Sequence, residues 1–231
     1  MLYLVGTPIG NMRDMSIRQA ETIAKADYIL CEDTRTTGIL LQKIEELFKV
    51  GNNPSKKLIS YHKHSEFETL PYVLDLLKED HTVVLISQAG MPLISDPGGL
   101  LIQTVIKRGL PFTVIPGPTA LISGLVYSGF DTRNFSFYGF LPKKTTELVK
   151  MVTEIRKSVV SDNRHPVIFY ETAKRIKTTL SAIAAIDPSA TVSVSREITK
   201  LFEETVRGSP SDLAQKEYKG EIVLTVLFSP S

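Results

Sequence analysis

The sequence has almost no cysteine, no tryptophan and no long apolar run. Its 231 residues include a single cysteine, Cys31. One cysteine excludes an internal disulfide and is typical of a reducing compartment, which predicts a cytoplasmic protein. No run of about 18 apolar residues is present, so we expect no membrane span. The apolar segment 1–6 is too short and too uncharged for a signal peptide, and its pattern predicts a strand.

Several motifs for binding and catalysis are also absent. There is no Gly-Lys-Ser/Thr of a P-loop and no Gly-x-Gly-x-x-Gly dinucleotide fingerprint. The nucleophile elbow of serine hydrolases is missing as well. With one cysteine and four histidines, a zinc site is not expected, and we predict no metal. We interpret His62 and His64 as surface or substrate contacts.

The charge is nearly balanced, with a small positive excess in the second half. Residues 1–115 hold 12 Lys/Arg and 13 Asp/Glu, whereas residues 116–231 hold 15 and 12. A phosphate-rich partner is therefore expected on the second half. The alternative is that these charges belong to ordinary solvated faces.

The hydrophobic pattern predicts two α/β domains, 1–115 and 116–231, that meet at a Pro-Gly-Pro hinge with a cleft between them. In the first domain, strands alternate with helices, which favours a mainly parallel sheet. In the second, the hairpin-like order favours a mixed sheet. The predicted strands are 2–5, 28–31, 58–61, 82–87, 112–115, 135–138, 167–170, 191–195, 201–207 and 221–228.

Two of the helices allow specific predictions. Asp14 or Ser16 is expected to cap the first helix, which runs to about Lys25. Its apolar face is predicted to hold Ile17, Ala20 and Ala24. The next helix is expected over residues 38–48, after the polar cluster Glu32–Thr36.

The loop Ser87–Gly98 is the most informative stretch of the chain. It follows an apolar run and carries two glycines and two prolines. Connections between a strand and a helix usually have about 2–6 residues, and this one is about twice as long. Small residues at the carboxyl edge of an α/β sheet let a ligand approach the backbone. The alternative is an ordinary connection.

Together with other motifs, this loop resembles the tetrapyrrole methylase superfamily of S-adenosylmethionine-dependent methyltransferases, class III, and in particular its ribosomal RNA branch. The resemblance covers essentially the whole chain. Gln88 and Met91 stand where that family usually has Asp and Thr. The motifs that carry the resemblance are Leu2–Asn11, Glu32–Arg35, Leu58–His62, Ala89–Gly98, Ile115–Ala120, Gly139–Pro142, Phe169–Glu171, Arg196–Lys200 and Gly220–Leu224.

The resemblance implies 2′-O-ribose methylation of a cytidine, of the cytidine 1402 type, in 16S-type rRNA. S-adenosyl-L-methionine would be the cofactor, held in the cleft between the two domains. Small-subunit rRNA or the 30S subunit would be the partner, and the enzyme would be a cytoplasmic homodimer. For Ile9, Ile94 and Tyr170, simple core packing is the alternative. The cofactor contacts implied position by position are Ile9, Ala89, Gly90, Met91, Ile94, Thr119, Ala120 and Tyr170.

Methyl transfer to a ribose hydroxyl requires alignment and a proton acceptor. A positioned base contributes roughly 10²–10⁴-fold to such a step. Among the acidic residues that end strands, Glu171 and Glu197 are the predicted bases. The further acidic candidates are Asp33, Glu32 and Asp96, and the predicted substrate-positioning residues are Arg35, Arg196 and Lys200. The alternatives are structural ion pairs or helix caps, including a cap at Asp96 for the following helix.

Basic stretches with aromatic neighbours predict the RNA contacts, because unpaired bases stack on aromatic rings. The basic candidates are Lys143, Lys144, Lys174, Arg175, Lys177, Lys56 and Lys57. The aromatic candidates are Phe137, Tyr138, Phe140 and Tyr170, for which core packing is the alternative.

Two other functions stay open. One is methylation of a tetrapyrrole or a protein by the same fold. The other is an rRNA-binding homologue with impaired catalysis, which is motivated by Gln88 and Met91.

Overall fold

The computed structural model describes residues 1–159 and 165–230. The chain divides into two compact units, Met1–Thr119 and Ala120–Ser231. The sequence predicts this division four residues earlier, after residue 115. Residues 116–119 group with the first unit because the Gly117 backbone lies against Gly6 and against the side-chain amide of Gln19.

The first unit is a five-stranded parallel sheet, as the alternation of strands and helices predicts. The strands follow the order β3-β2-β4-β1-β5, and every neighbouring pair is parallel. They are β1 (Leu2–Val5), β2 (Tyr28–Cys31), β3 (Lys57–Ser60), β4 (Val83–Ile86) and β5 (Phe112–Ile115). The helices are α1 (Ile17–Lys25), α2 (Thr34–Phe48), α3 (Glu66–Lys78) and α4 (Gly99–Lys107).

Helices cover both faces of this sheet, and alternate strand residues feed two separate cores. Leu85 of β4 packs with Leu74 of α3 and Leu101 of α4. Its neighbour Ile86 packs on the opposite face, in a core that includes Ile23 of α1. A strand buried on both faces becomes a continuous apolar run, which is why β4 stands out in the sequence.

Helix α1 begins where the sequence predicts, but the prediction that Ile17 lies on its buried face is wrong. Ser16 caps the helix, and its side chain and that of Gln19 form a reciprocal capping box. Ala20 and Ala24 are buried, whereas Ile17 is 67% exposed. The buried stripe also includes Gln19 and Ile23, so Ile17 lies about a quarter turn from its centre.

Two other boundaries differ from the predictions by three residues or more. Helix α2 begins at Thr34 rather than Gly38, because the Asp33 side chain accepts a hydrogen bond from the Arg35 backbone and caps the helix. The strand predicted over 201–207 begins only at Glu204, because a turn precedes it. Glu197 and Thr199 of that turn have φ values of 50° and 67°.

The second unit is built on a mixed five-stranded sheet in the order β6-β7-β10-β8-β9, which confirms the predicted class. Among its described strands, only β6 and β7 pair in parallel. Its strands are β6 (Ser136–Phe140), β7 (Val167–Thr172), β8 (Thr191–Arg196), β9 (Glu204–Gly208) and β10 (Glu221–Leu227). Its helices are α5 (Ala120–Ser128), α6 (Thr145–Val159), α7 (Ile176–Ile186) and α8 (Pro210–Ala214). None of the described helices is long and apolar enough to cross a membrane.

The backbones at Gly6 and Gly117 approach too closely for a side chain at either position. A Cβ at Gly6 would lie 2.7 Å from Sδ of Met91 and 2.8 Å from Cα of Gly117. Gly6 follows β1 and Gly117 follows β5, so this approach holds together two loops at the carboxyl edge of the sheet.

We expect Gly6→Ala to lower the free energy of unfolding by about 1–3 kcal/mol, because the added methyl group overpacks a backbone contact. Gly38→Ala is the matched control. Gly38 lies within α2 and a Cβ there would meet no heavy atom within 4 Å, so alanine should stabilise by about 0.5–1 kcal/mol. Urea unfolding followed by circular dichroism measures both. A Gly6→Ala variant as stable as the wild type would contradict the close approach.

Candidate active site

The carboxyl ends of β4, β1 and β5 bring three loops together in the first unit. Because the three strands are parallel neighbours, the loops that follow them emerge at the same edge of the sheet. These loops are 6–11, 87–98 and 116–119. Ligands of open α/β sheets bind at this edge.

The first two loops are joined by backbone hydrogen bonds. The Thr7 N–H donates to the Gly90 carbonyl at 2.9 Å, and the Gly90 N–H donates to the Thr7 carbonyl at 3.1 Å. The Thr7 hydroxyl also donates to the Ser87 carbonyl at 3.2 Å. Gly90 has a φ of 85°, a conformation that favours glycine. The backbone around Gly90 is therefore held in one position.

A buried glutamine secures the base of the first loop. Gln19 is 1% exposed, and its side-chain amide donates to the Gly6 carbonyl at 2.6 Å. The same side chain accepts from the Ser16 backbone at 2.6 Å. Since Gln19 also lies against Gly117, one side chain from α1 contacts both the first and the third loop.

The loop 87–98 contains backbone conformations that are unusual for residues with side chains. Leu93 and Ser95 have φ values of 71° and 69°. Gly98 has a φ of 122°, and a Cβ there would lie 2.6 Å from Leu85. Residues in such conformations persist only where their surroundings enforce them, and they cluster at functional sites. These conformations favour a functional role for the loop over that of an ordinary connection.

The predicted cofactor contacts of the first unit fall mostly on these loops. Ile9 is buried, and its Cγ2 lies 3.4 Å from the position of a Cβ at Gly90. Gly90 is buried, Met91 is half-buried, and Ala89 and Ile94 are exposed. Thr119 ends the first unit. The geometry thus brings Ile9, Gly90 and Met91 together, while their role stays a prediction.

The other two predicted cofactor contacts belong to the second unit. Ala120 is the first residue of α5. Tyr170 lies on β7, where its ring packs edge-on against Phe137 with centroids 4.9 Å apart. Phe140 also packs against it, with centroids 5.6 Å apart. The cofactor role of Ala120 and Tyr170 stays a prediction.

Charged residues follow β2, on the other side of β4. Asp33 caps α2, and its carboxylate also accepts from the Arg35 guanidinium at 3.1 Å. That hydrogen bond holds the pKa of Asp33 below its usual range. The Arg35 side chain is 89% exposed. This is the arrangement of the structural alternative, a cap with an ion pair, and a lowered pKa makes Asp33 a weak base.

Asp96 has a different environment. Burial raises the pKa of its carboxyl to about 6, the Glu32 carboxylate adds to the rise, and a hydrogen bond from Ser87 offsets part of it. Asp96 does not fill the capping role considered for it. The Leu100 N–H in the first turn of α4 donates instead to the Glu66 carboxylate, at 2.8 Å. A raised pKa suits a carboxylate that takes up a proton near neutral pH.

Glu171 is enclosed by the second unit. Its side chain has no exposed surface. The carboxylate accepts from the Thr179 hydroxyl at 2.6 Å and from the Thr172 N–H at 2.7 Å. The Arg175 guanidinium lies 3.6 Å away and donates to the carbonyls of loop 141–142. These contacts are those of a structural carboxylate, and nothing in them favours the predicted base role.

Glu197, Arg196 and Lys200 take part in ion pairs around the turn between β8 and β9. The Lys200 amine lies 3.1 Å from the Glu197 carboxylate and 2.7 Å from that of Glu221. A hydrogen bond from the Glu221 N–H is the main reason that the pKa of Glu197 is lowered. Arg196 pairs with Glu204 at 2.7 Å. The catalytic roles of these residues stay predictions, and the geometry agrees with the structural alternative.

Many of the predicted RNA contacts are engaged within the protein. Arg175 binds backbone carbonyls, as described above. The Lys56 amine donates to the Ala24 carbonyl at 2.8 Å, and burial lowers its pKa to about 8. Lys143, Lys174 and Phe140 are exposed. The remaining candidates have these neighbours: Lys144 pairs with Glu147, Lys177 with Glu217, Lys57 lies over the Tyr28 ring, and Tyr138 packs against Phe169.

His62 and His64 are exposed at the end of β3, with ring centroids 6.4 Å apart. Within residues 1–159 and 165–230, no group of three or more His, Cys, Asp or Glu side chains is arranged to hold a metal ion.

Comparison with known proteins identifies similar sequences over nearly the whole chain. The family model described as Tetrapyrrole (Corrin/Porphyrin) Methylases matches residues 1–214. A protein of a Hydrogenobaculum species named ribosomal RNA small subunit methyltransferase I is 40% identical, over 97% of this chain and 94% of its own length. Proteins of the same name from Streptococcus pyogenes and Thermotoga maritima are 39% and 37% identical over 97% of this chain, and over 75% and 97% of their own lengths.

Solved structures share the fold at much lower identity. A cobalamin biosynthetic enzyme, cobalt precorrin-4 methyltransferase, matches with a TM-score of 0.64 and 16% identity, over 97% of this chain and 93% of its own. A uroporphyrin III C-methyltransferase from Thermus thermophilus matches with a TM-score of 0.60 and 14% identity, over 97% and 96%. These likenesses confirm the predicted fold class.

We expect Glu171→Ala to lower the free energy of unfolding by about 1–3 kcal/mol, because it leaves buried donors unpaired. Binding of S-adenosylmethionine should persist. Glu217→Ala is the control, since it removes a carboxylate that is 86% exposed and should change stability little. Thermal unfolding and titration calorimetry measure the two effects. Unchanged stability combined with lost turnover would restore the base role to Glu171.

Proposed function

Because the chain belongs to the tetrapyrrole methylase family, we propose that it is an S-adenosylmethionine-dependent methyltransferase of small-subunit ribosomal RNA. The observation that carries this function is the 37–40% identity, over 97% of the chain, to proteins named for that substrate. We further propose that the acceptor is the 2′-hydroxyl of a cytidine. The resemblance of the sequence motifs supports this acceptor. It also supports a cytoplasmic homodimer acting on rRNA or the 30S subunit.

The three joined loops of the first unit fit the methyl donor. They present small and apolar groups and main-chain atoms, and a Cβ at Gly90 would lie 3.4 Å from Ile9 and 3.5 Å from the Pro118 carbonyl. When bound, S-adenosylmethionine supplies a methyl group on a sulfonium sulfur. Ile9, Ala89, Gly90, Met91 and Ile94 would hold it. Because their backbone is fixed before binding, little ordering is required to orient the donor.

The acceptor hydroxyl must lose a proton as it is methylated, and Asp96 is the residue best suited to receive it. It lies on the same loop as Ala89 and Ile94 and is partly exposed. With a pKa of about 6, it is ionised at neutral pH yet more basic than an ordinary aspartate. Glu171 is enclosed and Glu197 is ion-paired, so neither is as available. Asp96 therefore replaces them as the proposed base.

The competing functions have weaker support. The structures of tetrapyrrole-modifying enzymes are only 14–16% identical and share the fold alone. An rRNA-binding homologue without turnover is favoured only by Gln88 and Met91. Both lie on the loop whose backbone the Thr7–Gly90 pairing holds in place.

The direct test is methyl transfer from labelled S-adenosylmethionine to small ribosomal subunits that lack ribose methylation. Nucleoside mass spectrometry should detect 2′-O-methylcytidine, and subunits that already carry the modification should accept no label. Donor binding measured by calorimetry without any product would favour the impaired homologue. Transfer to a tetrapyrrole and not to RNA would favour the other alternative.

Asp96→Asn should lower kcat/KM by about 10²–10⁴-fold. In the wild type, kcat/KM should rise with pH to a plateau above about 6, and the variant should lose this rise. Glu68→Gln, an exposed change on α3, is the control and should leave the profile unchanged.

Stability separates this catalytic role from a structural one. The pKa of Asp96 is about 6 in the folded state, whereas aspartate in the unfolded chain has its ordinary pKa of 3.8. Proton binding by Asp96 therefore stabilises the folded state at low pH, and this contribution is lost as pH rises from about 4 to about 6. Asp96→Asn should therefore be at least as stable as the wild type at pH 7. A variant that loses activity because it unfolds at pH 7 would contradict the assignment.

A further inference from the structure

The first unit contains a cavity beside the carboxyl ends of β1, β2 and β4. Its volume is about 170 Å³. Its apolar wall includes Pro8, Ile39, Leu40 and Ile86. A cavity of about 150 Å³ is sufficient for benzene, whereas drug-sized ligands need about 300 Å³ or more. The cavity therefore has room for one six-membered ring.

Two polar side chains of the cavity wall form no hydrogen bond or ion pair with the described residues. Glu32 and Gln88 both line the cavity. Across residues 1–159 and 165–230, neither side chain makes a hydrogen bond or an ion pair. The neighbouring Asp33, by contrast, is occupied by Arg35. An ionised Glu only accepts hydrogen bonds, while the Gln amide both donates and accepts.

We propose that this cavity binds the base of the nucleotide that is methylated, and that Glu32 and Gln88 select a pyrimidine with an exocyclic amino group. Glu32 accepts from the amino group, the pairing by which carboxylates recognise cytosine. The Gln88 amide donates to a ring acceptor of the same edge. This inference rests on the proposed function and assigns its base specificity.

The Glu32 carboxylate and the size of the cavity discriminate against other bases. Uracil carries a carbonyl oxygen where cytosine has its amino group, so it would set one acceptor against the Glu32 carboxylate. The volume is close to that of a cavity that holds one six-membered ring, which favours a pyrimidine over a purine. Bases in unpaired RNA segments are free to enter such a pocket, because they are not held in a stack.

The cavity is next to the proposed base. Ser87 and Glu32 both line the cavity, and both interact electrostatically with Asp96. A nucleotide whose base occupies the cavity therefore has its ribose at the same edge of the sheet as Asp96. Lys43 also lines the cavity and is exposed, a position suited to a flanking phosphate.

The test compares small ribosomal subunits that carry either cytidine or uridine at the methylated position, with kcat/KM measured for each. The wild type should prefer cytidine by about 10- to 100-fold, the discrimination of one good base contact. Glu32→Gln should reduce this ratio by about tenfold or more, because an amide can donate to the uracil carbonyl. Glu45→Gln, an exposed change on α2, should keep the wild-type ratio.

A second variant tests the proposal independently in case the Glu32→Gln protein does not fold. Gln88 is exposed and makes no side-chain hydrogen bond to the described residues, so Gln88→Leu should fold normally. It should raise KM for cytidine-bearing subunits about tenfold and leave the Kd for S-adenosylmethionine unchanged. If the wild type transfers methyl groups but the variants keep its cytidine-to-uridine ratio and its KM, the proposed base pocket is wrong and the proposed function stands. No transfer by the wild type to either subunit would overturn the proposed function as well.

Discussion

The close approach of two backbones, at Gly6 and Gly117, is the constraint on which the candidate site depends. A methyl group at Gly6 would meet both Met91 and Gly117. The Gln19 amide then holds the Gly6 carbonyl, and Thr7 pairs with Gly90. Three loops that follow three strands are thereby held in fixed relative positions. A cofactor that relies on main-chain contacts needs such a surface in place before it binds.

Neighbouring structure, more than residue type, separates the acidic candidates. Glu171 is enclosed by donors, Glu197 is held by the Glu221 N–H and by Lys200, and Asp33 caps a helix. Asp96 keeps a raised pKa because burial outweighs its hydrogen bond, and Glu32 adds to the rise. Carboxylates at the ends of strands thus divide into those that have hydrogen-bond or ion-pair partners and two, Glu32 and Asp96, that form no ion pair with the described residues. The edge of the first sheet thus carries the three joined loops beside β1 and the charged groups beside β2.

Much of the fold could be predicted from local pattern, and the errors have local causes. Apolar runs located the strands, since β4 is buried on both faces. The start of α2 differs from the prediction because the polar cluster 32–36 does not by itself show that Asp33 caps the helix. The prediction for Ile17 is wrong because three residues of a short helix do not define the centre of its buried face. The sequence ranks Asp96 behind Glu171 and Glu197 because a helix cap is its alternative. Only the structure shows that Glu66 of α3, a residue distant in sequence, accepts from the first turn of α4 instead.

The sequence by itself determined the class of each sheet, the motifs of the family and the loop at which the site was sought, because these depend on periodicity and on short contiguous patterns. Only the tertiary structure decided which side chains are available for chemistry. Availability depends on burial, on hydrogen-bond partners such as Thr179 for Glu171, and on nearby charges such as that of Glu32 near Asp96. The cavity lined by Glu32 and Gln88 is likewise visible only in the tertiary structure, because its walls come from separate loops and from α2.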